Sequence, residues 1–191
     1  PAARLSWSAG AGLGTAPASE YLRALAGLAF RPLPYRDAYA ATVGHAHGWP
    51  VASDGKKAWL PHCYGMIGVG RNLAPDTGTG AELYVVNGHA PRHLDRNIAV
   101  VGRVIDGIGN LTALPRGTGA LGFYEKESER TGIVSVRSGS PMRWQMMRTG
   151  SKSFTAYIGA RANRRDAFFN VPANGLDICN ATVPLRKAPQ N

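Results

Sequence analysis

The stretch His62–Leu111, HCYGMIGVGRNLAPDTGTGAELYVVNGHAPRHLDRNIAVVGRVIDGIGNL, decides how the rest of the chain is read. It contains two runs of strand character, Leu83–Asn87 (LYVVN) and Ile98–Ile105 (IAVVGRVI). Both are rich in the β-branched and aromatic residues that fit a pleated, half-covered surface. Between them lies Gly88–Asn97, a turn-rich segment with Pro91, Asp95 and Asn97. The pattern predicts a strand, a long connection and a second strand.

Five pieces of this stretch stand in a set order: Gly65–Arg71, Pro75–Gly80, Glu82–Val86, Leu94-Asp95 and Val100–Gly107 (VVGRVIDG). Together they resemble the second half of a cyclophilin-type peptidyl-prolyl isomerase. In that family a Gly-led apolar strand enters a Gly/Asn/Asp-rich loop, followed by an aromatic-bearing strand, a Leu-Asp loop and a strand of the form V-x-G-[RK]-V-x-x-G. The segment Leu114–Gly119 (LPRGTG) is similar to one in divergent, exported bacterial members. The resemblance runs from Gly65 to about Pro141. It implies a mainly β fold, a cyclophilin-like antiparallel β-barrel, and a periplasmic or exported location.

The resemblance also implies a reaction. An Xaa-Pro bond rotates slowly because amide resonance sets a barrier near ~20 kcal/mol, while cis and trans differ by only about 0.5 to 1 kcal/mol. Catalysis therefore needs no cofactor, only an apolar hollow for the proline ring, a grip on the flanking backbone, and a donor aimed at the prolyl nitrogen. By the resemblance Tyr84 stands where a phenylalanine floors the hollow, Leu94 matches a leucine beside it, and His93 takes the place of a neighbouring aromatic. Ile98 replaces the histidine or tyrosine of the rim. Gly70 and Arg71 fall where backbone groups hold the substrate chain, and Glu82 replaces a glutamine of the adjoining groove. The implied partners are proline-containing polypeptides.

The family donor, an arginine in a Phe-His-Arg segment, has no counterpart that motif matching finds before Gly65, so no catalytic residue is assigned from sequence. The expectation is an N-terminally truncated or divergent member with an incomplete barrel and little activity of its own. A non-catalytic proline-peptide-binding module is the alternative. Third is a basic binder of nucleic acid or anionic surfaces.

That third reading rests on charge. The 191 residues hold 22 Lys and Arg against 12 Asp and Glu, a formal balance of +10, which favours anionic partners. The basic residues are scattered from Arg4 to Lys187, however, without an interleaved aromatic motif. With 24 Gly, 13 Pro and only 18% charged residues, turns are frequent and long helices few. No apolar run is long enough to span a membrane. Cys63 and Cys179 read equally as a disulfide or as two buried thiols.

Three parts are expected: a loop-rich segment over 1–57, the barrel part over 58–141, and a C-terminal helical extension over 142–191 that packs on the barrel. Residues 1–17 read as loop, and Gly10, Gly12 and Gly14 do not form a nucleotide fingerprint. Ser19 reads as the cap of a short helix through Ala29, with an extended segment as the alternative, and Tyr35–Ser53 reads as a surface loop. His45, His47 and His62 lack a recognised ligand spacing, so no metal is assigned. Asp106–Leu114 reads as a short capping segment and Ile133–Val136 as a closing strand. Ser151–Arg165 reads as a helix with Phe154, Tyr157, Ile158 and Arg161 on one face, and Phe168 and Phe169 as anchors.

Overall fold

The structure is a computed structural model that describes residues 2–6, by their backbone pairing, together with 21–139 and 142–189. Six strands precede the deciding stretch: β1 (Ala2–Ser6), β2 (Arg23–Ala24), β3 (Arg31–Pro32), β4 (Thr42–Ala46), β5 (Trp49–Ser53) and β6 (Lys57–Trp59). Within it come β7 (Met66–Val69), β8 (Glu82–Val86) and β9 (Val100–Arg103), then the short helix α1 (Ile108–Thr112). The strands β10 (Trp144–Met146) and β11 (Leu185–Lys187) flank the helix α2 (Lys152–Ala162). All pairings are antiparallel. They form a four-stranded sheet in the order β1-β8-β7-β9, a five-stranded sheet in the order β2-β6-β5-β4-β3, and the ribbon β10-β11.

The strands read from Leu83–Asn87 and Ile98–Ile105 are present as β8 and β9, each trimmed at its ends. The surface loop expected over Tyr35–Ser53 is instead the β4–β5 hairpin, paired from Thr42↔Ser53 to Ala46↔Trp49. Its two-residue turn is His47-Gly48, with φ of 49° and 80°, a reversal that glycine permits and that matches the twist of the flanking strands. Val43 and Ala52 in this hairpin are fully buried. The expected loop at 1–17 likewise contains β1, whereas Gly10, Gly12, Gly14 and Ser19 lie outside the described residues. Tyr21–Ala29 forms β2 and a turn, not the end of a helix. The boundary drawn between residues 57 and 58 falls inside β6.

Towards the C-terminus, α2 follows the expected periodicity. Ser151 caps it, its hydroxyl accepting from the Phe154 N–H at 3.1 Å. The helix ends at Ala162, before Arg164 and Arg165. Phe154, Ile158 and Ala162 are its buried stripe, and Arg161 is exposed, stacking on Tyr157. This stripe packs against the five-stranded sheet, in a core shared by Val43, Ala52, Trp59, Ile178, Ala181 and Val183. Two expectations are corrected here. Ile133–Val136 carries no ladder and Val134 is wholly exposed. Phe168 and Phe169 stack edge-on with each other at the surface, with Phe168 86% exposed; Phe169 meets the Arg164 guanidinium at 5.1 Å, and neither ring belongs to the core clusters.

Two long-range devices hold the sheets together. The first is the Cys63–Cys179 disulfide, which resolves the open alternative and ties the start of β7 to the C-terminal segment across 116 residues of sequence. Its sulfurs join Met66 and Val86 in a small apolar cluster with Trp49, Tyr84 and Val100 around it.

The second is a buried ionic chain. Arg92, 4% exposed, grips Asp37 with both terminal nitrogens at 2.9 and 3.0 Å and donates from Nε to Asp95 at 2.6 Å. The Asp95 carboxylate also accepts the His62 backbone N–H at 2.8 Å and His62 Nδ1 at 3.1 Å. Asp37 belongs to the β3–β4 connection, His62 to the β6–β7 connection, and Arg92 and Asp95 to the β8–β9 connection, so one set of bonds spans both sheets. Burial alone would push the Asp95 carboxyl up. The hydrogen bonds from His62 and Arg92 outweigh it and hold Asp95 below the ordinary carboxylate range.

Two outcomes follow from these devices. Reduction of the disulfide, or the double substitution Cys63→Ser and Cys179→Ser, should lower unfolding free energy by about 2 to 4 kcal/mol; an unchanged melting curve under reductant would show that the bridge does not restrain the fold. Asp95→Ala should cost about 3 to 5 kcal/mol, because Arg92 then keeps a buried charge short of one partner. A carboxylate whose folded pKa is depressed contributes stability above its unfolded pKa and loses it as pH falls through the folded value. Denaturant titrations at descending pH should therefore show wild-type stability falling below about pH 4, with a shallower fall in Asp95→Asn.

Candidate functional site

The site built by the deciding stretch sits where β7 and β8 run into their connecting loop. Gly70 continues the ladder past Val69, its N–H donating to the Glu82 carbonyl at 2.7 Å. The loop that follows is folded on Asp76, whose carboxylate accepts the backbone N–H groups of Asn72 and Gly78, both at 2.8 Å. These bonds hold Asp76 below its ordinary pKa. Arg71 then crosses to the β8–β9 connection, donating from Nε to the Asn97 carbonyl at 3.0 Å, while Nη1 donates to Asn72 at 2.7 Å. Asn97 in turn donates to the carbonyls of His93 and Asp95. Two loops that are distant in sequence are thus laced side by side, and the open groove between them is lined by Arg71, Asn72, Leu73 and Ile98. Leu73 is 88% exposed, an apolar side chain held out at the rim.

Of the residues singled out by sequence, Arg71 and Ile98 meet in this groove, and Gly70 and Glu82 are bonded at its base. His93 and Leu94 lie on a short 3-10 turn, Arg92–Leu94, with His93 exposed and Leu94 half-buried; neither lines the groove. Tyr84 is turned inward. Its ring lies across Gly68, the residue opposite it in the ladder, where an added Cβ would come within 2.3 Å of the ring. Only glycine gives the aromatic room there.

The Tyr84 hydroxyl ends the buried ionic chain. It sits 2.8 Å from His62 Nε2, and the two rings stack with 10° between their planes. With Nδ1 of His62 donating to Asp95, a neutral imidazole leaves Nε2 as the acceptor, to which Tyr84 donates. Burial, and then the negative charge of Asp95, push the Tyr84 hydroxyl above its ordinary pKa, so it keeps its proton. The arrangement positions rather than ionises: Asp95 orients His62, His62 fixes Tyr84, and the 3-10 turn bearing Leu94 is clamped by Arg92.

Sequence reading did not find Asp37, Arg92, Asp95 and His62 as a unit, because pairs separated by 33 to 55 positions leave no local pattern. It also passed over Arg36. This arginine is exposed, makes no bond among the described residues, and directly precedes the carboxylate that Arg92 grips. The three histidines considered for a metal are dispersed. His45 is buried against Ala181, His47 is in the hairpin turn, and His62 is in the ionic chain.

No family model matches the chain, and no curated protein matches it. Among solved structures it is similar to the cyclophilin AquaCyp293 from Hirschia baltica, with a TM-score of 0.58 and 16% sequence identity. The match covers 92% of this chain and 67% of that one. At such low identity the likeness is one of architecture: the chain has a mainly β, cyclophilin-like fold built from antiparallel sheets.

Proposed function

We propose that this chain is a peptidyl-prolyl cis-trans isomerase of the cyclophilin type, acting on Xaa-Pro bonds of folding client polypeptides. The observation that supports it is the cyclophilin-like fold over 92% of the chain. The groove of Arg71 and Ile98, at the mouth of the laced loops, is the proposed seat of the substrate backbone. The disulfide supports an oxidising, exported or periplasmic setting, where such bridges persist.

In this reading the chemistry is electrostatic. As the Xaa-Pro bond rotates, the prolyl nitrogen loses conjugation and gains basicity, and a fixed cationic donor stabilises that state more than the planar ground state. Each 1.36 kcal/mol so gained is tenfold in rate. Two arginines are candidates: Arg71 in the groove, and Arg36, whose neighbour Asp37 is bonded to Arg92 of the β8–β9 connection. Arg71 commits Nε and Nη1 to backbone carbonyls of its own surroundings, leaving Nη2 for a ligand carbonyl. Arg36 is uncommitted, and its neighbour Asp37 is fixed by the two bonds from Arg92. We assign the donor role to Arg36 and a binding role to Arg71.

A second reading, a non-catalytic proline-peptide-binding module, is favoured by the extent to which Arg71 is tied to the loops. One assay separates the two. In NMR exchange on a proline peptide, the protein should accelerate cis-trans interconversion, Arg36→Ala should reduce kcat/KM by about 100-fold, and Arg71→Ala should act mainly on KM. Peptide binding without acceleration would select the module, and a rate untouched by Arg36→Ala would remove Arg36 as donor.

A further inference from the structure

The loop that follows α2 turns apolar side chains outward. Asn163 ends the helix, its N–H and its side-chain Nδ2 both donating to the Gly159 carbonyl at 3.1 Å, and the Gly175 N–H returns to the Ala162 carbonyl at 3.3 Å. The twelve residues 163–174 between these bonds therefore form a loop closed at its base. Within it Arg164 pairs with Asp166, the Asp166 carbonyl accepts the Phe169 N–H at 2.9 Å, and the Arg164 guanidinium lies over the Phe169 ring. These contacts are internal to the loop. Phe168, Phe169 and Val171 face water, at 86%, 40% and 82% exposure.

Single exposed apolar side chains are common, but three within four positions, on a backbone ordered by its own bonds, mark a contact surface. The charge around them narrows the kind. From Ala167 to Leu176 no residue is charged, and these ten residues are preceded by Arg161, Arg164 and Arg165. All three arginines are exposed; Asp166 engages Arg164, whereas Arg161 and Arg165 have no carboxylate partner among the described residues. The wider segment has the same sign, since residues 142–189 hold eight Lys and Arg against Asp166 and Asp177 alone. An apolar tip behind a cationic collar complements a surface with anionic groups outside and hydrocarbon beneath.

Other occupants fit less well. A protein partner engages roughly 20 to 30 residues a side, more than this loop offers. Single-stranded nucleic acid stacks on flat aromatic faces, whereas Phe168 and Phe169 stand at 89° to each other with Arg164 across the second, and Val171 gives no platform. A bilayer asks only for a few inserted side chains and for cations at headgroup level. We propose that residues 163–174 form a peripheral docking loop for anionic phospholipid bilayers, with Phe168, Phe169 and Val171 entering the boundary between headgroups and acyl chains and Arg161, Arg164 and Arg165 meeting the phosphates. The attachment is reversible, because three side chains and three cations supply far less than a spanning helix. The inference uses no groove residue and stands apart from isomerase activity.

The test is flotation of the folded chain with vesicles of phosphatidylcholine alone or mixed with phosphatidylglycerol. Binding should appear on the mixed vesicles and fall as salt rises. Arg161→Gln and Arg165→Gln should each weaken it about 5-fold, and Phe168→Ser, a change at the surface, at least about 10-fold, with melting curves unchanged in all three. In Phe168→Trp, fluorescence should be quenched by brominated acyl chains beyond the level set by the wild-type tryptophans. Equal binding to neutral vesicles, binding unchanged by Phe168→Ser, no added quenching, or no binding at millimolar lipid overturns the proposal. Self-association or oligonucleotide binding that Phe168→Ser abolishes, with vesicles left unbound, also overturns it and assigns the loop to a second copy or to nucleic acid.

Discussion

The bidentate grip of Arg92 on Asp37, continued through Asp95 to His62 and Tyr84, is the constraint on which the arrangement of the sheets depends. The members come from three connections and one strand, and only the Arg92–Asp95 pair is close in sequence. A buried guanidinium between two carboxylates is tolerable only when all its partners are placed at once, so the chain is either assembled around it or strongly penalised. The consequence for function is indirect. The 3-10 turn that carries His93 and Leu94 is held from below by Arg92, and the ring of Tyr84 is held from its hydroxyl end by His62, which leaves the outer loops to form the groove.

Much of the four-stranded sheet was legible in the sequence. β-Branched residues cluster in β8 and β9, and the loops between carry the turn residues that delimit them. The five-stranded sheet was far less so. In β4 and β5, Gly44, His45 and Pro50 interrupt what would otherwise read as apolar alternation, and His45 is a polar residue at a core position. The one local signal was His47-Gly48, a two-residue turn with glycine in its second place, flanked by Val43 on one side and Val51-Ala52 on the other. Conversely, Ile133–Val136 has the composition of a strand but no ladder partner among the described residues, and composition alone does not supply one.

The site was legible only in part. Arg71 and Ile98 meet because Asn97 and Asp76 order two loops, and both residues fall in turn-rich sequence that marks a loop without giving its path. Tyr84 shows the opposite case: β-propensity placed it on a strand, but its partner His62 lies 22 positions away and sets which way the ring is used. The C-terminal segment has a comparable role on the other side of the molecule. It covers the five-stranded sheet with α2 and is bolted to the start of β7 by the disulfide.

The most direct test of this account is the protonation pattern of His62, read by long-range proton–nitrogen NMR of the imidazole together with hydrogen exchange of the His62 amide. The buried chain requires a proton on Nδ1 facing Asp95, a bare Nε2 accepting from Tyr84, and an amide that exchanges only with global unfolding. A proton on Nε2 with Nδ1 bare, or an amide that exchanges as fast as a surface loop, would contradict it.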